Sequence, residues 1–294
     1  MLSVAEAFDK FRTRLEITQT EQDDASRRQQ EVRTHIGKSF HVEKDFLTGS
    51  YARHTKTKPL KDVDIFFVLD KDEKPRRQQP ASKVLDDFEQ CLRKEYGSDQ
   101  VERGRRCVTV TFDKRSQTQE EEGKVLSIDA VPAFDCGHHY EIPDDTLGKW
   151  IESDPEVHKE KATKKNKSLN GNWVPLVKMI KRWNREAGKH VKPSFLLEVM
   201  ALQLVDPPFN SYSDEIRRFF AAAADRINEE WPDPAGLGPS VSDQMDQGRR
   251  SKAKEALRAA EVKAARAFRA EQQGRQGEAL ALWREILGSY FPTS

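Results

Sequence analysis

The segment at residues 49–65, GSYARHTKTKPLKDVDI, opens on a Gly-Ser pair, runs through a basic stretch and closes on two aspartates separated by one valine. The apolar run it leads into, VDIFFVL at 63–69, is rich in β-branched and aromatic residues, as a buried strand requires. Side chains two positions apart in a strand share a face. Asp62 and Asp64 therefore project together while Val63 turns toward a core. Two carboxylates on one face repel each other, and a positive partner between them is expected.

A third carboxylate has a matching setting. Asp129 lies within VLSIDAVPAF at 125–134, a strand pattern with no other charge in its middle, and a buried carboxylate without a partner is expensive. Three carboxylates from two neighbouring strands form an oxygen-only donor set, which suits a hard cation, Mg²⁺ or Mn²⁺. Gly49 lets backbone approach a phosphate closely, and Ser50 begins a short helix whose free N–H groups attract anions. This turn, with 11 residues between Ser50 and Asp62, points to phosphoryl transfer with two ions. Structural readings stay open beside the functional ones: Asp62 and Asp64 as strand-edge acids near Arg53 or Lys61, and Asp129 as the salt-bridge partner of Arg105 or Arg106.

Around this constellation the chain divides in two. Residues 4–15 read as a helix, with capping-box spacing at Ser3 and Glu6 and an apolar stripe of Val4, Phe8, Phe11 and Leu15. Helical character continues over 20–38. Residues 71–82 read as a polar loop, 83–96 as a helix, 108–112 as a strand by alternation, and KRSQTQEEEGK at 114–124 as an exposed turn. Strands are expected to stop after Pro143, and from Trp173 onward only helical patterns follow, ending in EALALWREILGSYF with Trp283 and Leu287 as core. The layout predicts an α/β fold, with a catalytic lobe at 1–155 that includes the N-terminal helix and a helical lobe at 156–294.

Bulk properties narrow the function classes. The 50 basic and 49 acidic residues leave a net charge of +1, which argues against a nucleic-acid coat or an acidic tail. No stretch approaches the roughly 18–20 apolar residues of a membrane span, and the charged N-terminus is not a secretion signal. Three cysteines without CxxC spacing make a disulfide framework or zinc knuckle unexpected and a cytoplasmic setting the default. CGHHY at 136–140 matches no zinc motif and reads as a loop leaving the sheet. The basic, alanine-rich segment at 249–269 reads as a solvated helical face.

GSYARHTKTKPLKDVDIFFVL, SIDAVPAF, LVKMIKRWNREAGKHVKPSFLLEVMAL and LWREILGSYFP together resemble the polymerase-β-type nucleotidyltransferase superfamily. Within it they are most similar to the bacterial cyclic-oligonucleotide synthases related to cyclic GMP-AMP synthase and oligoadenylate synthetase, across nearly the whole chain. One departure is Ser127, where relatives often carry a further acid. The resemblance implies a nucleotidyltransferase core with a mixed sheet, a C-terminal helical lobe and an active site in the cleft between them. It assigns Asp62, Asp64 and Asp129 to two Mg²⁺ or Mn²⁺ ions, and Gly49 and Ser50 to the donor triphosphate, with Thr55 supporting the turn. Lys178 and Lys181, at i and i+3 of one helix, would neutralise donor phosphates, Ser194 would bind a phosphate oxygen, and Phe195 would stack on a base. Each of these four also has a structural reading: a solvated face for the lysines, an N-cap for Ser194 and core packing for Phe195.

The resemblance further implies that NTPs, ATP among them, are joined into a cyclic di- or trinucleotide with release of pyrophosphate. The product would signal in bacterial anti-phage defence through a downstream effector, and some relatives of this size work with a HORMA-type regulator and an AAA+ ATPase. The chain lacks the zinc ribbon of animal DNA sensors of the superfamily, so obligatory DNA activation is not implied. Two other readings compete: a linear or target-modifying nucleotidyltransferase, and a catalytically idle nucleotide-binding module.

Overall fold

The computed structural model describes residues 2–112 and 127–294. In chain order the first elements are α1 (Val4–Arg14), α2 (Gln19–Ile36), β1 (Val42–Leu47), α3 (Gly49–Ala52), β2 (Asp62–Leu69), a 3₁₀ segment (Lys71–Gln78) and α4 (Ala81–Tyr96). Then come β3 (Val101–Arg103), β4 (Val108–Thr111), β5 (Ser127–Asp135), β6 (Tyr140–Asp144), β7 (Lys149–Ser153) and α5 (Pro155–Ser168). The last five are α6 (Trp173–Glu186), α7 (Phe195–Leu204), α8 (Tyr212–Arg226), α9 (Gln247–Gln272) and α10 (Gln276–Leu287). They fall into two units: Ile17–His158, which holds the sheet, and Met1–Glu16 with Lys159–Ser294, which is helical.

The sheet is mixed, in the order β1-β2-β5-β4-β3, with β6 added on β5 and β7 on β6. Only β2 and β5 run parallel among the described strands. Period-two alternation sorts their side chains. Val63, Ile65, Phe67 and Leu69 of β2, with Ile128 and Ala130 of β5, share a core with Val32 and Ile36 of α2 and Val84, Leu85 and Phe88 of α4. Phe66, Val68, Val131 and Ala133 make a smaller cluster on the other face with Tyr140, Ile142 and Ile151. Asp62, Asp64 and Asp129 continue this second series, so the acids stand on the face that α2 and α4 leave uncovered.

Several expectations need correction. Strands do not stop after Pro143, which sits inside β6 and is followed by β7. Pairing of β6 to β5 is confined to Tyr140 and Glu141, which leaves an edge where a proline's missing N–H is tolerated. The polar stretch after β2 is a 3₁₀ segment rather than a loop, capped by the Asp70 carboxylate, which accepts from the Asp72 N–H. β1 escaped the sequence reading because Glu43, Lys44 and Asp45 break its apolar pattern. The expected turn at 114–124 lies outside the described residues.

The N-terminal helix also belongs elsewhere than expected. α1 has the capping box formed by Ser3 and Glu6, but its buried stripe packs in the helical unit. Phe8 meets Trp283 and Phe291 edge-on, each at 5.1 Å between ring centroids. Burying one aromatic stripe against two others fixes the helix there, so the sheet-bearing unit begins at Ile17. α9 buries Ala253, Leu257, Ala260, Ala264 and Ala267 and turns its basic residues outward, as a solvated face should.

Candidate active site

The parallel register of β2 and β5 pairs Asp64 with Asp129 and Asp62 with Ser127. Adjacent strands lie about 4.8 Å apart, so residues in register on one face bring their side chains together. Asp62, two positions before Asp64, projects to the same side. Its charge reaches Asp129, whose carboxyl is pushed up to about 6, mainly by burial and further by Asp62. Thr109 of β4, in register with Asp129, opposes that rise by donating its hydroxyl to Asp129 Oδ1 at 2.6 Å. The Cys107 thiol is raised as well, first by burial and then by the charges of Asp129 and Asp64.

The Gly-Ser turn is fastened to this strand pair. The Thr48 N–H donates to the Asp64 carbonyl at 2.9 Å, and Gly49 follows at φ +61° as the first residue of α3. A Cβ at position 49 would lie 1.8 Å from Asp64 Oδ2. Glycine is required here twice, by the left-handed backbone and by the carboxylate pressed against it. The Ser50 carbonyl accepts from the N–H groups of Thr55 and Lys56, and Thr55 is fully buried, which fits a role in supporting the turn.

The salt-bridge reading of Asp129 does not hold. Arg105 and Arg106 direct their Nε atoms to the two oxygens of Asp144, each at 2.8 Å. Asp129 is acted on by burial, a hydroxyl donor and a second carboxylate. Asp62 is exposed and Asp64 and Asp129 are half-buried, and an oxygen-only acidic set of this kind fits a hard divalent cation. Among the described residues, two groups of three donors have ligand atoms within 4.8 Å of one another: His41, Asp70 and Asp72, and Cys136, His139 and Glu141. The first stands beyond the opposite end of β2, about 26 Å from Asp62 at roughly 3.3 Å per residue, and its Asp70 already caps the 3₁₀ segment.

In the helical unit the two lysines predicted as phosphate ligands are buried rather than solvated, whereas Ser194 is exposed. Lys178 donates to both Glu16 oxygens, at 2.6 and 2.7 Å, and Lys181 to Glu198 Oε1 at 2.6 Å. Glu198 is itself only 1% exposed. Ser194 has helical dihedrals and makes no side-chain cap bond, so its hydroxyl is not spent on an N-cap. Phe195 is half-buried against the helical core. Sequence reasoning missed Thr109, Cys107, Glu16 and Glu198 as neighbours of the candidate residues. Thr109 shows in the sequence only as one member of an alternating pair, and its role depends on the register.

Residues 2–166 match the family model described as the Second Messenger Oligonucleotide or Dinucleotide Synthetase domain. The cyclic AMP-AMP-AMP synthase of Acinetobacter sp. (strain ATCC 27244 / 9458) is 30% identical over 269 residues, covering 85% of this chain and 73% of that protein. CdnC of E. coli MS115-1, solved with ATP, superposes with a TM-score of 0.70 at 19% identity over 99% of both chains. Its complex with HORMA-deltaN gives 0.69 at 18% identity over 98% of both chains. The CD-NTase CdnG of Bradyrhizobium diazoefficiens, solved with GTP, gives 0.70 at 15% identity over 96% of this chain and 97% of that one. At these identities the solved structures establish the fold, and the family model with the synthase relative establishes the lineage. The chain belongs to the Second Messenger Oligonucleotide or Dinucleotide Synthetase family and is a bacterial cGAS/DncV-like nucleotidyltransferase, a metal-dependent enzyme that condenses nucleoside triphosphates into cyclic oligonucleotides.

Proposed function

We propose that this synthase uses Asp62, Asp64 and Asp129 as its catalytic carboxylates, with Mg²⁺ or Mn²⁺ as the resident ions, and closes NTPs into a cyclic di- or trinucleotide. The observation that carries the assignment is the Asp64–Asp129 register pair with the Gly49 backbone pressed against the Asp64 carboxylate. When bound, divalent ions supply positive charge that holds the triphosphate and lowers the pKa of the attacking hydroxyl. Asp62, Asp64 and Asp129 would hold the ions. Asp129 Oδ2, the oxygen not engaged by Thr109, receives the proton of the attacking ribose hydroxyl. The hydroxyl oxygen then bonds to the α-phosphorus, the α–β bridging bond breaks and pyrophosphate leaves. Gly49 and Ser50 cradle donor phosphates through backbone N–H groups.

Lys178, Lys181, Ser194 and Phe195 are assigned to the donor phosphates and base on family resemblance. Glu16 and Glu198 then serve to position the two ammonium groups. The same resemblance supports a role in anti-phage signalling inside the cell, through an effector that reads the cyclic product. The CdnC complex makes a HORMA-type regulator a reasonable partner, with an AAA+ ATPase as its companion.

The test is to incubate the protein with an equal mixture of four NTPs and Mg²⁺, treat with phosphatase and identify the product by mass spectrometry. A phosphatase-resistant cyclic product made without a macromolecular acceptor, and lost in Asp62→Asn and Asp64→Asn, is expected. A phosphatase-sensitive linear product would assign a polymerising activity instead. NTP consumption unchanged in both variants would overturn the site.

A further inference from the structure

The hairpin that joins β5 to β6 carries a second constellation, unconnected with the aspartates. Asp135 pairs with Tyr140 and Phe134 with Glu141, and the turn is closed by the Cys136 N–H donating to the His139 carbonyl at 2.9 Å. Gly137, at φ +89°, provides the left-handed residue the reversal needs. Its N–H is held by Asp135 Oδ1 at 2.8 Å. Extending the ladder by one step sets Cys136 opposite His139, and Glu141 follows His139 on the same face. One donor atom from each of Cys136, His139 and Glu141 lies within 4.8 Å of the other two, and all three side chains are half-buried.

Two neighbours complete the setting. Glu152 of β7 is the register partner of Glu141, and its Oε1 stands 3.6 Å from His139 Nε2. Arg77 forms an ion pair with Glu141.

We propose that Cys136, His139 and Glu141 form a zinc-binding site, with Glu152 as fourth ligand or as the carboxylate that orients His139. The donor chemistry selects the metal. A thiolate, an imidazole and carboxylates are the ligands of Zn²⁺, whereas the oxygen-only aspartate set suits Mg²⁺. Zinc bonds of about 2.0–2.3 Å in a tetrahedron set ligand atoms roughly 3.6 Å apart, so side-chain rotation from the present separations closes the site. Binding replaces the Cys136 S–H bond by a sulfur–zinc bond and releases one proton to solvent. Two carboxylates and a thiolate exceed the charge of one zinc ion by one, and Arg77 offsets the excess. The spacing alone hides the site because its third ligand sits on the returning strand. Its consequence is mechanical: β5, which bears Asp129 near its start, is pinned at its far end to β6 and β7.

The test uses the whole chain, free of tag histidines, stripped with a chelator and titrated with Zn²⁺ against a chromophoric competitor. One zinc per chain is expected in the wild type and in the Asp62→Asn/Asp64→Asn double variant. Cys136→Ser and His139→Ala should each weaken binding by at least ~10-fold. Co²⁺ in place of zinc should give a thiolate-to-metal charge-transfer band that Cys136→Ser abolishes. Metal-free circular dichroism of both single variants, matching wild type, separates lost binding from lost folding. No stoichiometric zinc in the wild type, or equal zinc in Cys136→Ser, would overturn the proposal. Either result leaves the synthase assignment untouched, since that rests on the aspartates.

Discussion

Replacing Asp129 with asparagine should make the metal-free protein more stable at neutral pH while abolishing synthesis. The folded carboxyl is raised from 3.8 to about 6. At about 1.4 kcal/mol per pK unit, ionising it inside the fold costs roughly 3 kcal/mol. Partial exposure of the side chain brings the usable figure to about 1–2 kcal/mol. Asparagine keeps an oxygen for the Thr109 hydroxyl and carries no charge. The direction with pH follows from linkage. Between 3.8 and 6 the folded chain holds a proton that the unfolded chain has lost, so this group's contribution to stability falls as pH rises through that window. Calorimetric melts in chelator at pH 4 to 8 should show the Asp129→Asn variant above wild type by roughly 2–3 °C at pH 7.5, with the gap closing by about pH 4. Added Mg²⁺ should narrow the gap from the wild-type side. A variant that melts at or below wild type at pH 7.5, or a gap independent of pH, would refute the argument.

Gly49→Ala forces a Cβ to 1.8 Å from Asp64 Oδ2 at a left-handed backbone; displacing that carboxylate should lower kcat on the order of 10²-fold, and retained turnover would contradict the close approach. Thr109→Val removes the hydroxyl that holds Asp129 down. The acid limb of the pH profile of kcat/KM should therefore move to higher pH, and an unmoved limb would count against Asp129 as the base. Lys181→Ala leaves the buried Glu198 carboxylate without this ammonium and should cost about 3–5 kcal/mol in denaturant unfolding. The double variant Lys181→Met/Glu198→Leu should recover most of that stability yet stay inactive, and full activity in it would remove Lys181 from the donor site.

The acids were legible because a strand has period two and a charge stands out in an apolar run: Asp64 and Asp129 each interrupt a hydrophobic strand pattern, and Asp62 shares the face of Asp64 at the strand's start. Gly49 was legible as a glycine beside a serine, although the reason for it, the Asp64 carboxylate at its Cα, appears only in the fold. Non-local facts stayed hidden. Thr109 lies opposite Asp129 through register, α1 chooses its partners through Phe8, and Lys178 and Lys181 are neutralised by glutamates 162 and 17 residues away. β6 and β7 were missed because CGHHY reads as a loop and strands were expected to stop after Pro143, a residue that a sheet edge tolerates.

The central claim is that three aspartates gather divalent ions beside the Gly-Ser turn. A crystal grown with Mn²⁺ and a non-hydrolysable ATP analogue, measured for anomalous scattering, addresses it without any assay. Manganese peaks bonded to the carboxylates of residues 62, 64 and 129, with the triphosphate against the backbone of residues 49 and 50, are the expected result. Peaks confined to His41, Asp70 and Asp72, or a triphosphate seated away from β2, would contradict it.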